Sequence, residues 1–187
     1  YSSRLIVLTA SGTAAMEATI MNLFNKRDKI LVVNGGTFGS RFKKICDVLT
    51  LNAEEIHLNN FESLTSKHLE PYEGKGFTGF LINVHETSTG ILYDMNLVKD
   101  FCQRNNLLLV VDAISSFLAD KYDMSAYGIN ATILSSQKGL ALPPGMSFVI
   151  LDERAQARVR NNKVNSLYFD FKDYLLNGER GQTPYTP

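Results

Sequence analysis

Residues 135–140 of this chain read Ser-Ser-Gln-Lys-Gly-Leu, and they follow directly on the apolar run Ile129–Leu134. Such a run is typical of a β-strand, and the Pro-Pro-Gly turn at 143–145 indicates that a loop follows it rather than a helix. Lys138 is therefore predicted to lie just beyond the end of a strand. It is either an ordinary solvated surface charge or, partly desolvated at the mouth of a sheet, a nucleophile toward carbonyl groups.

The composition narrows the classes of function before any motif is considered. The 187 residues suffice for one domain with a substantial core, and 19 basic residues balance 19 acidic ones. This neutral balance predicts no nucleic-acid partner and no membrane-surface partner. Cys46 and Cys102 fall in amphipathic helical patterns and are predicted to fill the core, and no metal-site spacing occurs. No signal peptide or membrane-spanning run is visible, which favours a cytoplasmic protein.

Apolar strand patterns alternate with helical patterns along the chain. Helical patterns occupy, for example, Ala14–Phe24, residues 42–49, which follow a predicted turn at residues 34–39, and the stretch that Asp94 is predicted to cap. This alternation predicts an α/β fold with three layers, in which helices cover both faces of a mainly parallel sheet. The aromatic stretch Tyr168–Leu176 is predicted to pack on a neighbour. The strand-like runs are Arg4–Leu8, Lys29–Val33, Glu54–Leu58, Phe77–Val84, Leu107–Val111, Ala131–Leu134 and Ser147–Leu151.

Chemically unusual residues follow the strands at one end of the predicted sheet. Ligands of parallel α/β sheets bind beyond the carboxyl ends of the strands, so these residues are expected to meet there. Three of them also have a plainer interpretation: the turn Ser11-Gly12-Thr13 would simply begin an N-capped helix, Phe38 would pack in the core, and Asp112 would cap a helix that runs from Ala113 onward. The residues are the small-residue turn Ser11-Gly12-Thr13, Phe38 between glycines, Thr87, Asp112, and Ser135 with Lys138.

Pyridoxal 5′-phosphate is the cofactor that needs all of these features together. A lysine forms a Schiff base with its aldehyde, and a carboxylate keeps its pyridine nitrogen protonated so that the ring withdraws electrons. An aromatic side chain stacks on the ring, and the free N–H groups of a helix N-terminus bind the phosphate. The rim of the sheet is therefore predicted to hold pyridoxal phosphate, with Lys138 and Asp112 in the two chemical roles.

Several ordered motifs of the chain resemble one family nearly from end to end. The chain is similar to the large domain of the class V (fold type I) aminotransferases, in the group of alanine–glyoxylate, serine–pyruvate and 2-aminoethylphosphonate–pyruvate transaminases. The resemblance implies that residues 1–187 are a pyridoxal-phosphate-binding large domain. We expect a fragment, whose N-terminal segment and C-terminal small domain, with the substrate-carboxylate arginine, lie outside it. The motifs are Ala10–Thr13, Asn34–Arg41, His85–Gly90, Val110–Asp112, Ser135–Gly139 and Pro143–Gly145.

The resemblance also implies a role for each residue at the ring of the cofactor. Lys138 would form the Schiff base and move a proton between the substrate and the cofactor. Asp112 would pair with the pyridine nitrogen, and Thr87 would hydrogen-bond the phenolic oxygen of the ring. Phe38 stands where the family places its stacking aromatic residue.

The phosphate of the cofactor has its own implied set of residues. In the family a threonine from the neighbouring subunit completes this set, which implies a homodimer with shared active sites. On the matching positions of this chain the set is Ser11, Gly12, Thr13 and Gln137, with Thr183 from the neighbouring subunit.

The implied function is transfer of an amino group from a small donor, of the alanine, serine or 2-aminoethylphosphonate type, to pyruvate or glyoxylate. Ping-pong Schiff-base chemistry on Lys138 would carry it out.

Another fold type I enzyme, such as a cysteine desulfurase or a lyase, is the nearest alternative, although desulfurases favour a histidine where Phe38 stands. A non-catalytic domain of this fold would predict loss of Lys138, Asp112 or the phosphate turn, and all are present. A Rossmann oxidoreductase is disfavoured because no GxGxxG follows the first strand.

Overall fold

The computed structural model describes residues 3–185, which form a seven-stranded sheet, a two-stranded ribbon and flanking helices. Tyr1, Ser2, Thr186 and Pro187 of the predicted 1–187 domain lie outside the described residues. The strands are β1 (Arg4–Leu8), β2 (Lys29–Asn34), β3 (Asn52–His57), β4 (Gly79–Asn83), β5 (His85–Glu86), β6 (Ile91–Leu92), β7 (Leu108–Asp112), β8 (Ala131–Ser135) and β9 (Ser147–Leu151). The helices are α1 (Gly12–Leu23), α2 (Thr37–Val48), α3 (Ser66–Leu69), α4 (Met95–Arg104), α5 (Glu153–Asn161) and α6 (Phe171–Gly178). None of these helices combines the length and the apolar character that a bilayer span requires.

The large sheet is mainly parallel, as predicted. Its strand order is β1-β9-β8-β7-β4-β2-β3. The five strands from β8 to β3 pair in parallel, whereas β9 pairs antiparallel with both β8 and β1. The carboxyl ends of the five parallel strands consequently meet at one edge, which is where open α/β sheets bind ligands.

Two separate hydrophobic cores lie on the two faces of the sheet. Successive side chains of a strand point to opposite faces, so Ile30 and Val32 of β2 join one core while Leu31 and Val33 join the other. Helices α1, α2, α5 and α6 cover the first face, and α4 with the short α3 covers the second. The predicted three-layer α/β/α arrangement is therefore confirmed.

Local sequence signals account well for the helix on the second face. Asp94 caps α4 by accepting a hydrogen bond from Asn96 N at 2.9 Å, as predicted. One side of α4, including Phe101, is buried under the sheet. Cys46 and Cys102 are both buried without a disulfide, in agreement with their prediction as core residues.

The aromatic residues of the stretch Tyr168–Leu176 pack on their own chain, whereas Leu176 is exposed, so packing of this stretch on a neighbour stays a prediction. Phe171 and Tyr174 of α6 are buried in the core beneath α1. The buried Asn22 of α1 makes this docking possible because it satisfies the backbone that leads into α6. Its Nδ2 donates to Phe169 O at 2.6 Å, and its Oδ1 accepts from Phe171 N at 2.9 Å.

Candidate active site

Polar side chains occupy the carboxyl ends of the central strands on one face of the sheet. Asn83 of β4 and Asp112 of β7 are register partners, and Ser135 ends the adjacent strand β8. Val110, two residues before Asp112, belongs to the core on the α1 side. Because residues two apart in a strand share a face, Asp112 points to the α1 side as well.

A cavity of about 220 Å³ opens at this end of the sheet. The eight catalytic and cofactor-binding residues that were predicted from Ser11 to Lys138 all line it, so the structure brings together residues that are widely separated in sequence. Thr183 lies elsewhere, exposed in a groove beside β1, with its Oγ1 donating to Tyr185 O at 3.0 Å. The chain therefore assembles these eight residues in one place, without the one that was assigned to a neighbouring subunit, and their roles stay predictions.

Asp112 is a buried carboxylate with one hydrogen bond among the described residues. Its Oδ1 accepts from Ile114 N at 2.9 Å, and 6% of the residue is exposed. Burial, with a further contribution from the negative charge of Glu86, raises the pKa of Asp112 to about 6. The alternative of a helix from Ala113 onward is wrong, because residues 114–119 form turns. A cationic N–H group in the cavity would satisfy this carboxylate.

Lys138 lines the same cavity from the turn that follows β8. The residue is exposed, and its amine has no hydrogen bond or ion pair within residues 3–185. The partial desolvation anticipated at the mouth of the sheet is therefore not observed. The turn is held by Ser136, whose Oγ donates to Pro143 O at 2.7 Å. The neighbouring Gln137 is exposed, and its side-chain oxygen accepts from Ser135 Oγ.

The N-terminus of α1 is capped and still offers donors to an anion. Ser11 Oγ accepts from Ala14 N at 3.2 Å, which is the ordinary N-cap of the plainer interpretation. The N–H groups of Gly12 and Thr13 have no partner among the described residues. A Cβ on Gly12 would lie 2.5 Å from Ile114 Cδ1, so glycine permits this close approach. The cap and an anion site are compatible, since the positive end of the helix dipole also faces the cavity.

Phe38 lies in the first turn of helix α2, and its predicted position in a turn before the helix is wrong. The apolar residues that recur with helical spacing from Phe42 onward mark only the buried face of α2. The first turn faces the cavity, and its one large apolar residue, Phe38, lies outside that series of residues. Phe38 is half-buried and belongs to neither core, so core packing does not explain it. The guanidinium of Arg41 lies over its ring, 4.8 Å from the centroid.

Glu86, which the sequence patterns did not single out, fills the N-terminus of α2. This residue is fully buried, and its Oε2 accepts from Gly39 N at 2.9 Å and from Phe38 N at 3.2 Å. Burial raises the pKa of Glu86, but hydrogen bonds from Ser88 and from Gly39 N outweigh it, so the pKa lies below its ordinary value. A Cβ on Gly36 would lie 2.7 Å from Glu86 Cδ, so glycine admits the carboxylate. The α2 N-terminus thus already holds an anion, whereas that of α1 is open.

Further polar residues of the cavity also escaped the sequence patterns, among them Arg41 and Ser115. Arg41 lies one helical turn after Phe38, on the same side of α2, and its Nη1 donates to Thr13 Oγ1 at 3.0 Å. Ser115, three residues beyond Asp112, accepts a hydrogen bond from Thr87 Oγ1 at 2.7 Å. The signal that the sequence offers for each is its spacing from a predicted residue: Arg41 comes three positions after Phe38, and Ser115 three positions after Asp112.

Similarity to known proteins extends over nearly the whole chain. The sequence profile described as Aminotransferase class-V matches residues 1–182. The chain belongs to the class V aminotransferases. The family that the sequence motifs indicated is thereby confirmed.

Relatives of this class V aminotransferase chain include curated and solved proteins. A 2-aminoethylphosphonate–pyruvate transaminase from Pseudomonas putida is 32% identical over 189 residues, which cover 100% of this chain and 51% of the relative. A soluble hydrogenase 42 kDa subunit from Anabaena cylindrica is 30% identical over 190 residues, 99% of this chain and 50% of the relative. The crystal structure of a Thermus thermophilus aspartate aminotransferase of subgroup IV aligns with a TM-score of 0.89 at 34% identity, over 98% of this chain and 51% of that one. The chain spans about half the length of these relatives.

The site of this class V aminotransferase chain fits the cofactor that the family implies, pyridoxal phosphate. The buried carboxylate of Asp112 suits a protonated pyridine nitrogen, because it has one hydrogen bond within the described part of the chain and a raised pKa. The open N–H groups of Gly12 and Thr13 suit a phosphate. Phe38 offers a ring outside both cores, and Lys138 offers an amine that has no partner among residues 3–185.

Proposed function

We propose that residues 1–187 form the cofactor-binding large domain of a pyridoxal-phosphate-dependent aminotransferase. It moves an amino group from a small donor, of the alanine, serine or 2-aminoethylphosphonate type, to pyruvate or glyoxylate. The observation that carries this proposal is the meeting of exposed Lys138 and buried Asp112 in one cavity, beside the open N-terminus of α1. The Pseudomonas putida relative, named for pyruvate, supports the class of acceptor.

Two residues of the chain carry the chemistry in this proposal. Pyridoxal phosphate, when bound, supplies an aldehyde that condenses with amines and a ring that withdraws electrons. Lys138 Nζ would hold the aldehyde and, once freed as an amine, would take a proton from the substrate α-carbon and deliver it to the cofactor. Asp112 holds a proton on the pyridine nitrogen, because ionic pairing relieves its buried charge. Since the donor product leaves before the acceptor binds, we expect ping-pong kinetics.

The remaining residues of the cavity bind and orient. The backbone N–H groups of Gly12 and Thr13, with the Ser11 turn and Gln137, hold the phosphate at the positive end of α1. The ring of Phe38 stacks on the cofactor ring and limits its rotation. Thr87, whose side chain contacts Ser115, would hydrogen-bond the phenolic oxygen of the ring.

A visible absorption spectrum of the full-length protein with pyridoxal phosphate tests the proposal. We expect a yellow band that bleaches when an amino donor is added and returns with a keto acid. A panel of alanine, serine and 2-aminoethylphosphonate against pyruvate and glyoxylate then identifies the substrates. Release of sulfide from cysteine would favour the desulfurase alternative instead. A folded protein that develops no band would contradict the cofactor assignment.

Phe38→Ala is expected to weaken cofactor binding about three- to tenfold, the value of one aromatic stacking contact. Because Phe38 lies in neither core, the thermal midpoint of the cofactor-free protein should change little. Titration with pyridoxal phosphate, followed by absorbance, measures the affinity. Phe61→Ala is the matched control, because Phe61 is 75% exposed and does not line the cavity. Unchanged affinity in Phe38→Ala would remove the stacking role.

We also propose a homodimer in which Thr183 completes the phosphate site of the partner. Its exposed position outside the cavity of its own chain supports this assignment. Mixing Thr183→Ala protomers with Lys138→Ala protomers should create hybrids with one intact site. Random association predicts recovery of about a quarter of the wild-type activity, since about half of the dimers are hybrid and each has one of its two sites intact. Activity that does not exceed the sum of the separate parents would count against shared sites.

A further inference from the structure

Ser88 completes the contact between Glu86 and the first turn of α2. Its Oγ accepts from Thr37 N at 2.9 Å and donates to Glu86 Oε1 at 2.6 Å. Glu86 itself accepts from the N–H groups of Phe38 and Gly39. The first three N–H groups of α2 are therefore held by two side chains from the segment at β5. The N-cap position, a glycine, contributes no side chain to this contact.

The same carboxylate reaches the strand that stands beside Asp112. Glu86 Oε2 accepts from Asn83 Nδ2 at 3.1 Å, and both residues are buried. Asn83 at the end of β4 is the register partner of Asp112 at the end of β7. A continuous series of contacts thus runs from the Phe38 backbone, through Glu86 and Asn83, to the strand pair that carries Asp112.

We infer that Glu86 is a positioning residue, which fixes the distance and the tilt between the Phe38 ring and the Asp112 carboxylate. Glu86 thereby sets the plane of a flat heteroaromatic ligand that touches both groups. The inference rests on the proposed function, because that ligand is pyridoxal phosphate. An ionised carboxylate suits this task, since it accepts several hydrogen bonds at once and binds each N–H more tightly than a neutral amide does. A Glu86 that only stabilised the helix would leave the ligand plane unchanged.

The chain provides a matched control for Glu86→Gln. Glu55 on β3 accepts from Asn34 Nδ2 at 3.1 Å, in the same kind of contact that Glu86 makes with Asn83. Glu55 has no hydrogen bond to α2 among the described residues and does not line the cavity. Glu55→Gln therefore removes a carboxylate from β3 while leaving the first turn of α2 alone. Ser88→Ala is a milder second variant, since Ser88 is exposed and the carboxylate stays in place.

The first measurement uses full-length protein without cofactor. Amide hydrogen exchange at Phe38 and Gly39, followed by NMR, should be about tenfold faster in Glu86→Gln than in wild type, because the neutral amide oxygen holds these two N–H groups less tightly than the carboxylate does. Glu55→Gln should exchange at the wild-type rate at both positions. Unchanged exchange in Glu86→Gln would overturn the inference without touching the proposed function, since no cofactor takes part.

The second measurement records visible circular dichroism at saturating pyridoxal phosphate and divides it by the absorbance of the bound cofactor. This ratio reports how the ring is held rather than how much is bound. We expect it to fall at least about twofold in Glu86→Gln, less in Ser88→Ala, and not at all in Glu55→Gln. If Glu86→Gln does not fold, Ser88→Ala decides by the same ratio. An unchanged ratio overturns the inference alone, whereas a wild-type protein without any visible band overturns the proposed function as well.

Discussion

Lys138→Ala is expected to abolish the visible band of bound pyridoxal phosphate and to lower turnover by about three to four orders of magnitude. Lys138 supplies the amine that lines the cavity, and a positioned group that transfers protons contributes about 10²- to 10⁴-fold to a reaction rate. Absorbance spectra and single-turnover kinetics of the full-length protein measure the two effects. The side chain is exposed and without partners in the described chain, so the fold should tolerate its removal.

Two further lysine variants test whether Lys138 acts through its reactive amine or only through its positive charge. Lys138→Arg keeps the positive charge beside Asp112 but replaces the amine by an unreactive guanidinium, so we expect it to be as inactive as Lys138→Ala. Lys121→Ala removes another exposed lysine that does not line the cavity and should leave the band and the turnover unchanged. Substantial activity in Lys138→Arg would return Lys138 to the role of an ordinary surface charge.

Asp112→Asn is expected to slow turnover at least about a hundredfold, because a neutral amide no longer stabilises positive charge on the pyridine nitrogen.

The same change, Asp112→Asn, should make the cofactor-free protein more stable at neutral pH. Burial raises the Asp112 pKa from 3.8 to about 6, so the folded chain binds a proton more tightly than the unfolded chain does. Stability contributed by this group is therefore present below about pH 4 and is lost as the pH rises through about 6, at a cost of at most roughly 3 kcal/mol.

Urea unfolding of the cofactor-free protein at pH 4.5 and pH 8 tests the stability effect. Relative to wild type, Asp112→Asn should be about 1–2 kcal/mol more stable at pH 8 and should lose most of this advantage at pH 4.5. Asp100→Asn, at an exposed position on α4, should show no such dependence. A variant that is less stable than wild type at pH 8 would mean that the carboxylate is satisfied in the absence of cofactor.

The sequence patterns located the strands well and the first turns of helices less well. Val111 and Ile133 lie in continuous apolar runs because their strands are buried on both faces, and such runs are visible without knowledge of the fold. The start of α2 was placed too late. Its first turn faces a polar cavity, and the apolar period that marks a helix appears only at Phe42 and beyond.

In the site, too, some residues stand out in the local sequence and others do not. Asp112 and Lys138 stand out in sequence because each follows an apolar strand that gives no local reason for a charge. Parallel strands then bring such residues to one edge, so their meeting in the cavity follows from the fold class. Glu86 has the same kind of position, after β4, yet it reads as one polar residue among several in a loop.

By itself, the sequence determined the α/β class, the family and the set of strand-end residues that line the cavity. These depend on periods of two and 3.6 residues and on which residues follow each strand, all of which are local properties. The tertiary structure decided that the N-terminus of α2 is filled by Glu86 while that of α1 stays open, and that Phe38 faces the cavity rather than a core. The Glu86 contacts join residues 47 and 48 positions apart, and no local pattern encodes which of two helix ends a distant carboxylate will reach.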